Sequence, residues 1–231
     1  KEYGGMQCSH MEKFILTEEL ARLGGPWGIV AVGMVGPVLM LYGTEEQKRE
    51  YLPRIARGEM DFALGYTEPE AGSDLAVLDI RAVEEGDYYV LDGQKVFNTG
   101  CHYSEYHWLA ARTDTSVAKH KGISMFIVDL ETPGITVRPL WTMAGWRTNE
   151  VFYDNVKVPK KNLVGEKNRG WYQLISALDF ERVWPAGPAQ RIFEEMVRYC
   201  KETERNSRVL SKDLLVRQKV AELAIEIQVL H

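Results

Sequence analysis

The chain has 231 residues, 45% of them hydrophobic and 26% charged, with a formal net charge of −5. That length supports more than one structural unit around a sizeable core, and the acidic balance argues against phosphate-backbone binding as a main activity. Three scattered cysteines, Cys8, Cys101 and Cys200, form no CxxC and suggest a reducing compartment rather than a disulfide framework. From about Cys8 to Gly58 the pattern is helical, with Phe14, Ile15 and Leu20 spaced for one face. The uncharged run Trp27–Gly43 is slightly short for a bilayer and is interrupted by Gly33, Gly36 and Pro37, so it reads as a buried, broken helix rather than a membrane span. Next, "GTEEQKREYL" opens with a capping-box-like Thr44 and Gln47.

From Phe62 to Val164 the period changes to two. The stretch "YYVLDGQKVF" reads as a strand, an Asp92-Gly93 turn and a strand. Further strand patterns follow in "WLAAR", "GISMFIVDL", "GITVRPL" and "EVFYDNVKVP". The nearly apolar run Ile123–Leu130 suits a strand covered on both faces. Short turns between antiparallel strands favour a small barrel or two packed sheets. After Gly170 the helical period returns with Trp171, Leu174, Ile175 and Leu178, and a last helix carries Val216, Val220, Leu223, Ile227 and Leu230. The expected organisation is an α+β multidomain chain: a helical domain over 1–61, a central antiparallel barrel-like β domain over 62–165 and the start of a helical bundle over 166–231. No signal peptide opens the chain. Its abrupt start at "KEYGGMQ" and its end inside a helical pattern read as part of a longer protein.

Several chemistries lack their motifs. His10, His102, His107, His120 and His231 form no HxxxH or HExxH pattern, and no cysteine sits at ligand spacing, so no metal site is expected. His102 and His107 read as surface histidines near a strand start. GxSxG, GxxxxGK[ST] and GxGxxG are all absent. Two features invite chemistry. In "ALGYTEPEAGSDL", Ala63–Leu75, the residues Pro69, Gly72, Ser73 and Asp74 are ordinary turn formers, and equally the makings of an anion-binding loop. On the helix after Gly170, a spacing of 100° per residue places Arg182 inside the apolar stripe and Glu181 at its edge. Such a pair is either structural, with snorkelling side chains, or a general base held in an apolar pocket.

Four segments in order, "YGTEEQKREYLP", "GYTEPEAGSD", "DGQKVFNTG" and "FYDNVKVPKKNLVGEKNRGW", together resemble the acyl-CoA dehydrogenases over nearly the whole chain. The resemblance implies FAD between a β domain and a helical bundle. It implies that Leu64–Ser73 line the cofactor, with Leu64, Tyr66, Thr67, Gly72 and Ser73 as contacts and Ser73 also near the thioester. It further implies that Phe97, Asn98 and Thr99 form the aromatic-x-Thr segment, with Phe97 against a flavin face and Thr99 bonded to N5; Phe stands where Trp is common. The "LDFER" match, Leu178–Arg182, implies Glu181 as the catalytic base, with Asp179 and Arg182 contacting substrate. Glu68 and Glu70 flank a proline and read as structural. The family's Arg-x-Phe-Gly stretch is not present in "ERNSRVLSKDLLVRQ", where Arg205, Arg208 and Arg217 are substitutes without an assigned role. Pro185 and Pro188 predict a kink past Glu181.

The activity implied is FAD-dependent α,β-dehydrogenation of an acyl-CoA thioester in fatty-acid and lipid metabolism, with electrons passed to an electron-transfer flavoprotein. The alternatives are an acyl-CoA oxidase using O₂ and a non-catalytic subunit of a heteromeric dehydrogenase. The implied assembly is a homotetramer or an α2β2 heterotetramer with no nucleic-acid partner and no membrane span, in a bacterial cytoplasm rather than a mitochondrial matrix. Sterol side-chain thioesters stay among the open substrates.

Overall fold

A computed structural model of the chain describes residues 1–26, 28–183 and 185–230, which fall into two compact units. Lys1–Met6 and Ile29–Arg182 form the first, Gln7–Gly28 and Val183–His231 the second. Helix α1 (His10–Arg22) belongs to the second unit.

The first unit begins with the apolar run, of which Trp27 lies outside the described residues. A π-helical turn, Ala31–Val35, runs into α2 (Gly36–Tyr42). Pro37 follows directly on the π-helical turn within a run that is helical from Val30 to Tyr42, and the wider turn before it accommodates a residue that cannot donate. One side of this broken helix is buried through Met34, Val35, Val38 and Leu39, while Val32, Met40 and Leu41 are exposed. Among the described residues no helix is long and apolar enough to cross a membrane. Helix α3 (Glu45–Arg57) has the expected Thr44–Gln47 capping box and stops at Gly58 in the left-handed conformation. The buried Gln47 amide also donates to the carbonyls of Lys161 (2.8 Å) and Leu163 (2.9 Å), tying α3 to the sheet region.

Eight strands follow: β1 (Phe62–Gly65), β2 (Arg81–Glu85), β3 (Tyr88–Lys95), β4 (Tyr106–Arg112), β5 (Ile123–Asp129), β6 (Ile135–Trp141), β7 (Arg147–Pro159) and β8 (Leu163–Val164). Their order is β6-β7-β3-β2-β4-β5-β8, with β1 on β4. The sheet is barrel-like only loosely. It does not close, and it is mixed, because β1 and β2 both run parallel to β4. Asp92-Gly93 does not form the expected turn. Strand β3 runs straight through it, with a register shift between Leu91 and Gly93 against β7 and Gly93 at φ 141°. That is a bulge, for which glycine serves as well as it does in a turn. The hairpin falls earlier, between β2 and β3 at Gly86 and Asp87, where Glu85 pairs with Tyr88.

Ile123–Val128 of β5 are all buried, as the apolar run required. Helix α4 (Gly170–Glu181) packs on β5 through Gln173, Leu174 and Ala177. It starts so close that a Cβ on Gly170 would stand 2.7 Å from Ser124 backbone atoms. Trp171 and Leu178 are half-buried, whereas Ile175 is exposed.

The second unit holds α1, α5 (Gly187–Glu202), a two-residue pair β9 (Glu204–Arg205) and β10 (Arg208–Val209), and α6 (Leu214–Leu230). Ser9 and Glu12 cap α1 reciprocally. Both Glu18 carboxylate oxygens accept amides at the start of α5, from Ala186 (2.8 Å) and Gly187 (2.7 Å). Burial is sparse here. Ile15 and Leu20 are exposed, correcting the reading of a buried face on α1. Val216, Val220, Leu223 and Ile227 are half-buried on α6, and Leu230 is exposed. Pro185 and Pro188 do more than kink a helix: α4 ends at Glu181, and α5 restarts at Gly187 with Pro188 in its first turn. The β9–β10 hairpin turns on Asn206 (φ 53°) and Ser207 (φ 60°), a primed-type turn not anticipated from sequence.

Candidate active site

Strand β1 leads directly into the segment 64–73, and β3 leads into 97–99. The fold lays these two segments side by side. Val96 N donates to Thr67 O at 2.9 Å, and the buried Asn98 side chain donates from Nδ2 to Leu64 O at 2.8 Å. A third segment joins them from β7: Asn98 N donates to Asn149 O, Asn149 Nδ2 returns a bond to Asn98 O at 2.8 Å, and Thr99 Oγ1 donates to Thr148 Oγ1 at 3.2 Å. Leu64, Tyr66, Thr67, Phe97, Asn98 and Thr99 are thereby brought into one edge of the sheet.

What this edge offers outward differs from what it buries. Tyr66 and Asn98 are buried, Leu64 and Thr67 are half-buried, and Gly72, Ser73 and Thr99 are exposed. Phe97 is 63% exposed and sits at φ 57°, a strained conformation for an aromatic residue that turns the backbone under an outward ring. Glu68 and Ala71 exchange backbone bonds (2.9 and 3.1 Å) and close a tight turn. Among the described residues, the Gly72 and Ser73 amides and the Thr67 and Ser73 hydroxyls donate no hydrogen bond. Unused donors beside a bare aromatic ring suit a flat ligand that carries anionic oxygens. These residues fit FAD.

Beneath the edge lies a polar layer. Lys95, fully buried, donates from Nζ to Tyr66 O (2.8 Å) and Glu68 Oε1 (2.9 Å), and burial pulls its pKa down to about 8 against the opposing Glu68 charge. His107, expected at the surface, is fully buried. Its Nδ1 bonds the Tyr153 hydroxyl, the two rings stack, and burial together with the Lys95 charge holds its pKa near 3. A Cβ on Gly65 would stand 2.8 Å from this imidazole, so only glycine lets β1 cross it. Buried Cys101, its thiol pushed up to about 12 by desolvation, is no nucleophile. Among the described residues no three His, Cys, Asp or Glu side chains group for a metal ion.

The α4 residues stand differently. Glu181 and Arg182 are exposed, which corrects the expectation of an apolar stripe running through Arg182. Arg182 pairs with Asp179, at 3.6 Å and with both side chains mostly exposed, rather than with Glu181. Burial raises the Tyr66 phenol pKa, and the nearby Glu181 charge adds to that rise.

Sequence reasoning passed over Lys95, Arg112, Asn149 and Tyr153, and it put His107 at the surface. Each is a polar residue within a strand, and which way it faces follows from pairing register, including the bulge, rather than from local spacing.

Comparison with known proteins places these features in a lineage. Three family models match in sequence: the acyl-CoA dehydrogenase N-terminal domain over residues 1–59, the middle domain over 63–156 and the C-terminal domain over 168–231. Acyl-CoA dehydrogenase FadE29 of Mycobacterium tuberculosis is 46% identical over 199 residues, which is 85% of this chain and 51% of that protein. FadE26 of the same organism is 45% identical over 192 residues, 82% of this chain and 48% of that protein. The chain thus spans about half the length of these curated relatives. Among solved structures, the Tcur3481-Tcur3483 steroid ACAD superposes with a TM-score of 0.92 at 41% identity, covering 99% of this chain and 59% of that one. The ChsE4-ChsE5 complex from Mycobacterium tuberculosis gives 0.91 at 40% identity, covering 99% and 60%. Matching domains in order, close identity and a shared fold lead to one conclusion: this chain belongs to the acyl-CoA dehydrogenase family.

Proposed function

We propose that the chain is the flavin-cradling and proton-abstracting portion of an FAD-dependent acyl-CoA dehydrogenase that converts an acyl-CoA to its trans-2-enoyl-CoA. The observation that carries this reading is the stitched edge of 64–73 and 97–99, with its unused donors beside the exposed Phe97 ring. Thr67, Gly72 and Ser73 would hold FAD through hydroxyls and turn amides, Phe97 would cover one ring face, and Thr99 would reach N5. Leu64, Tyr66 and Asn98 form the floor. Bound FAD would supply the acceptor for the β hydrogen as a hydride.

Glu181 takes the α proton on its carboxylate, while Ser73, Asp179 and Arg182 contact the thioester substrate. A carboxylate in water, with a pKa of about 4.3, is far too weak a base for this proton. Glu181 is exposed in this chain, so its desolvation has to come from what binds over it, substrate and cofactor included. The three-part division at 61/62 and 165/166 goes with this reading.

For the substrate, the steroid ACAD among the structural relatives favours a bulky, ring-bearing acyl group. The ChsE4-ChsE5 complex favours a hetero-oligomer, such as α2β2, over a homotetramer. The CarC subunit of a caffeyl-CoA reductase-Etf complex, 34% identical, supports an electron-transfer flavoprotein as the redox partner. The bacterial relatives favour a bacterial cytoplasm.

The test is Glu181→Gln in the full-length protein. The variant should bind FAD with an unchanged visible spectrum and lose about 10²–10⁴-fold in the rate of flavin bleaching by steroid-type and long-chain acyl-CoAs. Bleaching at the parental rate overturns the assignment of the base. Protein that stays colourless with excess FAD overturns the cofactor reading.

A further inference from the structure

The loop that carries Thr67, Gly72 and Ser73 is held from behind by three buried charges. Glu68, 8% exposed, uses both carboxylate oxygens: Oε2 accepts the amide of Asp79 at 2.6 Å and Oε1 that of Ile80 at 3.0 Å. Lys95 binds the same Oε1 and the Tyr66 carbonyl. Arg112, 7% exposed, donates from Nε and Nη2 to Leu78 O (3.1 and 2.6 Å) and from Nη2 to Ala76 O (2.7 Å). Every one of these bonds ends on loop backbone or on a charge that itself grips loop backbone. The carboxylate joins the loop's first turn to its last residues, across eleven or twelve positions of chain. The crest Gly72-Ser73 is exposed, and among the described residues its amides donate no hydrogen bond.

Buried charge-assisted bonds are among the stronger ones and fix geometry, so the crest is preorganised rather than ordered by its ligand. Carboxylates also oppose both buried cations at the loop's base, Glu68 acting on Lys95 and Asp79 together with Glu68 on Arg112, so neither cation is left without an opposing charge.

We propose that Glu68 and Lys95 are positioning residues for the flavin cradle: through the amides of Asp79 and Ile80 and the Tyr66 carbonyl they hold the Thr67–Ser73 crest in the conformation that binds the cofactor. This rests on the FAD reading above.

The experiment measures FAD affinity of the apo full-length protein by fluorescence quenching, and the visible circular dichroism of bound flavin, for the parent, Glu68→Gln, Lys95→Met and the double variant. A core variant, Ile127→Val, serves as a destabilised control. Each single variant should bind FAD at least about tenfold more weakly, with altered flavin circular dichroism, while the control binds as the parent does. The double variant removes both members of the Glu68–Lys95 pair, leaves Arg112 on its backbone carbonyls, and keeps the test available should a single variant fail to fold. It should still bind weakly, because the Asp79 and Ile80 amides lose their shared carboxylate. Parental affinity and dichroism in the folded variants overturn this proposal and leave the FAD reading standing. An equal loss in Ile127→Val overturns it in favour of general instability. Failure of the parent to bind FAD overturns both.

Discussion

Strands β4 and β5 of the first unit bury six consecutive residues each, His107–Arg112 and Ile123–Val128, whereas α6 of the second unit buries none fully. The two regions have similar apolar content but solve different problems. A strand layer covered on both faces by its own unit turns every residue into core. A helix hides only a stripe, and Leu214, Leu215, Ile225 and Val229 lie 67–81% exposed on the rest of α6. The same contrast separates the cradle, stitched into the sheet, from Glu181 at the exposed end of α4. Buried hydrogen bonds fix the β side, whereas the proposed base, Glu181, is exposed.

Truncations should expose this contrast most strongly. Leu109→Ala, at a fully buried β4 position, should cost about 3–5 kcal/mol in urea denaturation. The companion Leu223→Ala on α6, at a half-buried site, should cost no more than about 1 kcal/mol. Similar losses at both sites would erase the distinction between the two regions.

Acid should find the next weakest point, again on the β side. His107 has a folded pKa near 3 against an unfolded value near 6.5. Below pH 6.5 the unfolded chain takes up a proton that the folded chain refuses, so stability is whole above that pH and falls steadily toward pH 3. By pH 4 this one residue should account for about 3 kcal/mol of lost stability. His107→Gln, with no charge to gain, should start lower at pH 7 yet fall less on acidification. Parallel pH profiles for parent and variant would place the acid sensitivity elsewhere.

The smallest effect belongs to the surface of the same sheet. Glu84 accepts bonds from Lys160 and Lys167, chiefly the former, which hold its pKa at about 2. All three side chains remain substantially exposed, so salt screens the cluster. Glu84→Gln should leave the melting temperature unchanged at physiological salt, and a clear drop would mean that surface charge contributes to the sheet as its core does.

Much of this could be read along the chain. The capping box at Thr44, the apolar run that becomes β5, the break near Pro37 and the four family segments are local patterns, and each survives in the fold. Local pattern failed where one signal serves two geometries. Asp92-Gly93 suits a turn or a bulge equally, and pairing with β7 chose the bulge. The helical wheel put Arg182 in an apolar stripe, yet α4 ends at Glu181 and Arg182 is exposed.

The sequence by itself indicated the family, through four short motifs in order, and the types and order of the main elements, through composition and period, and it supplied the candidates for the site. Only the tertiary structure decided which polar side chains lie beneath the cradle. Glu68 and Lys95 stand 27 positions apart, and Lys95 and Arg112 are brought to the same loop by strand pairing. Register across a sheet sets the facing of every side chain at once, and no single strand's pattern contains it.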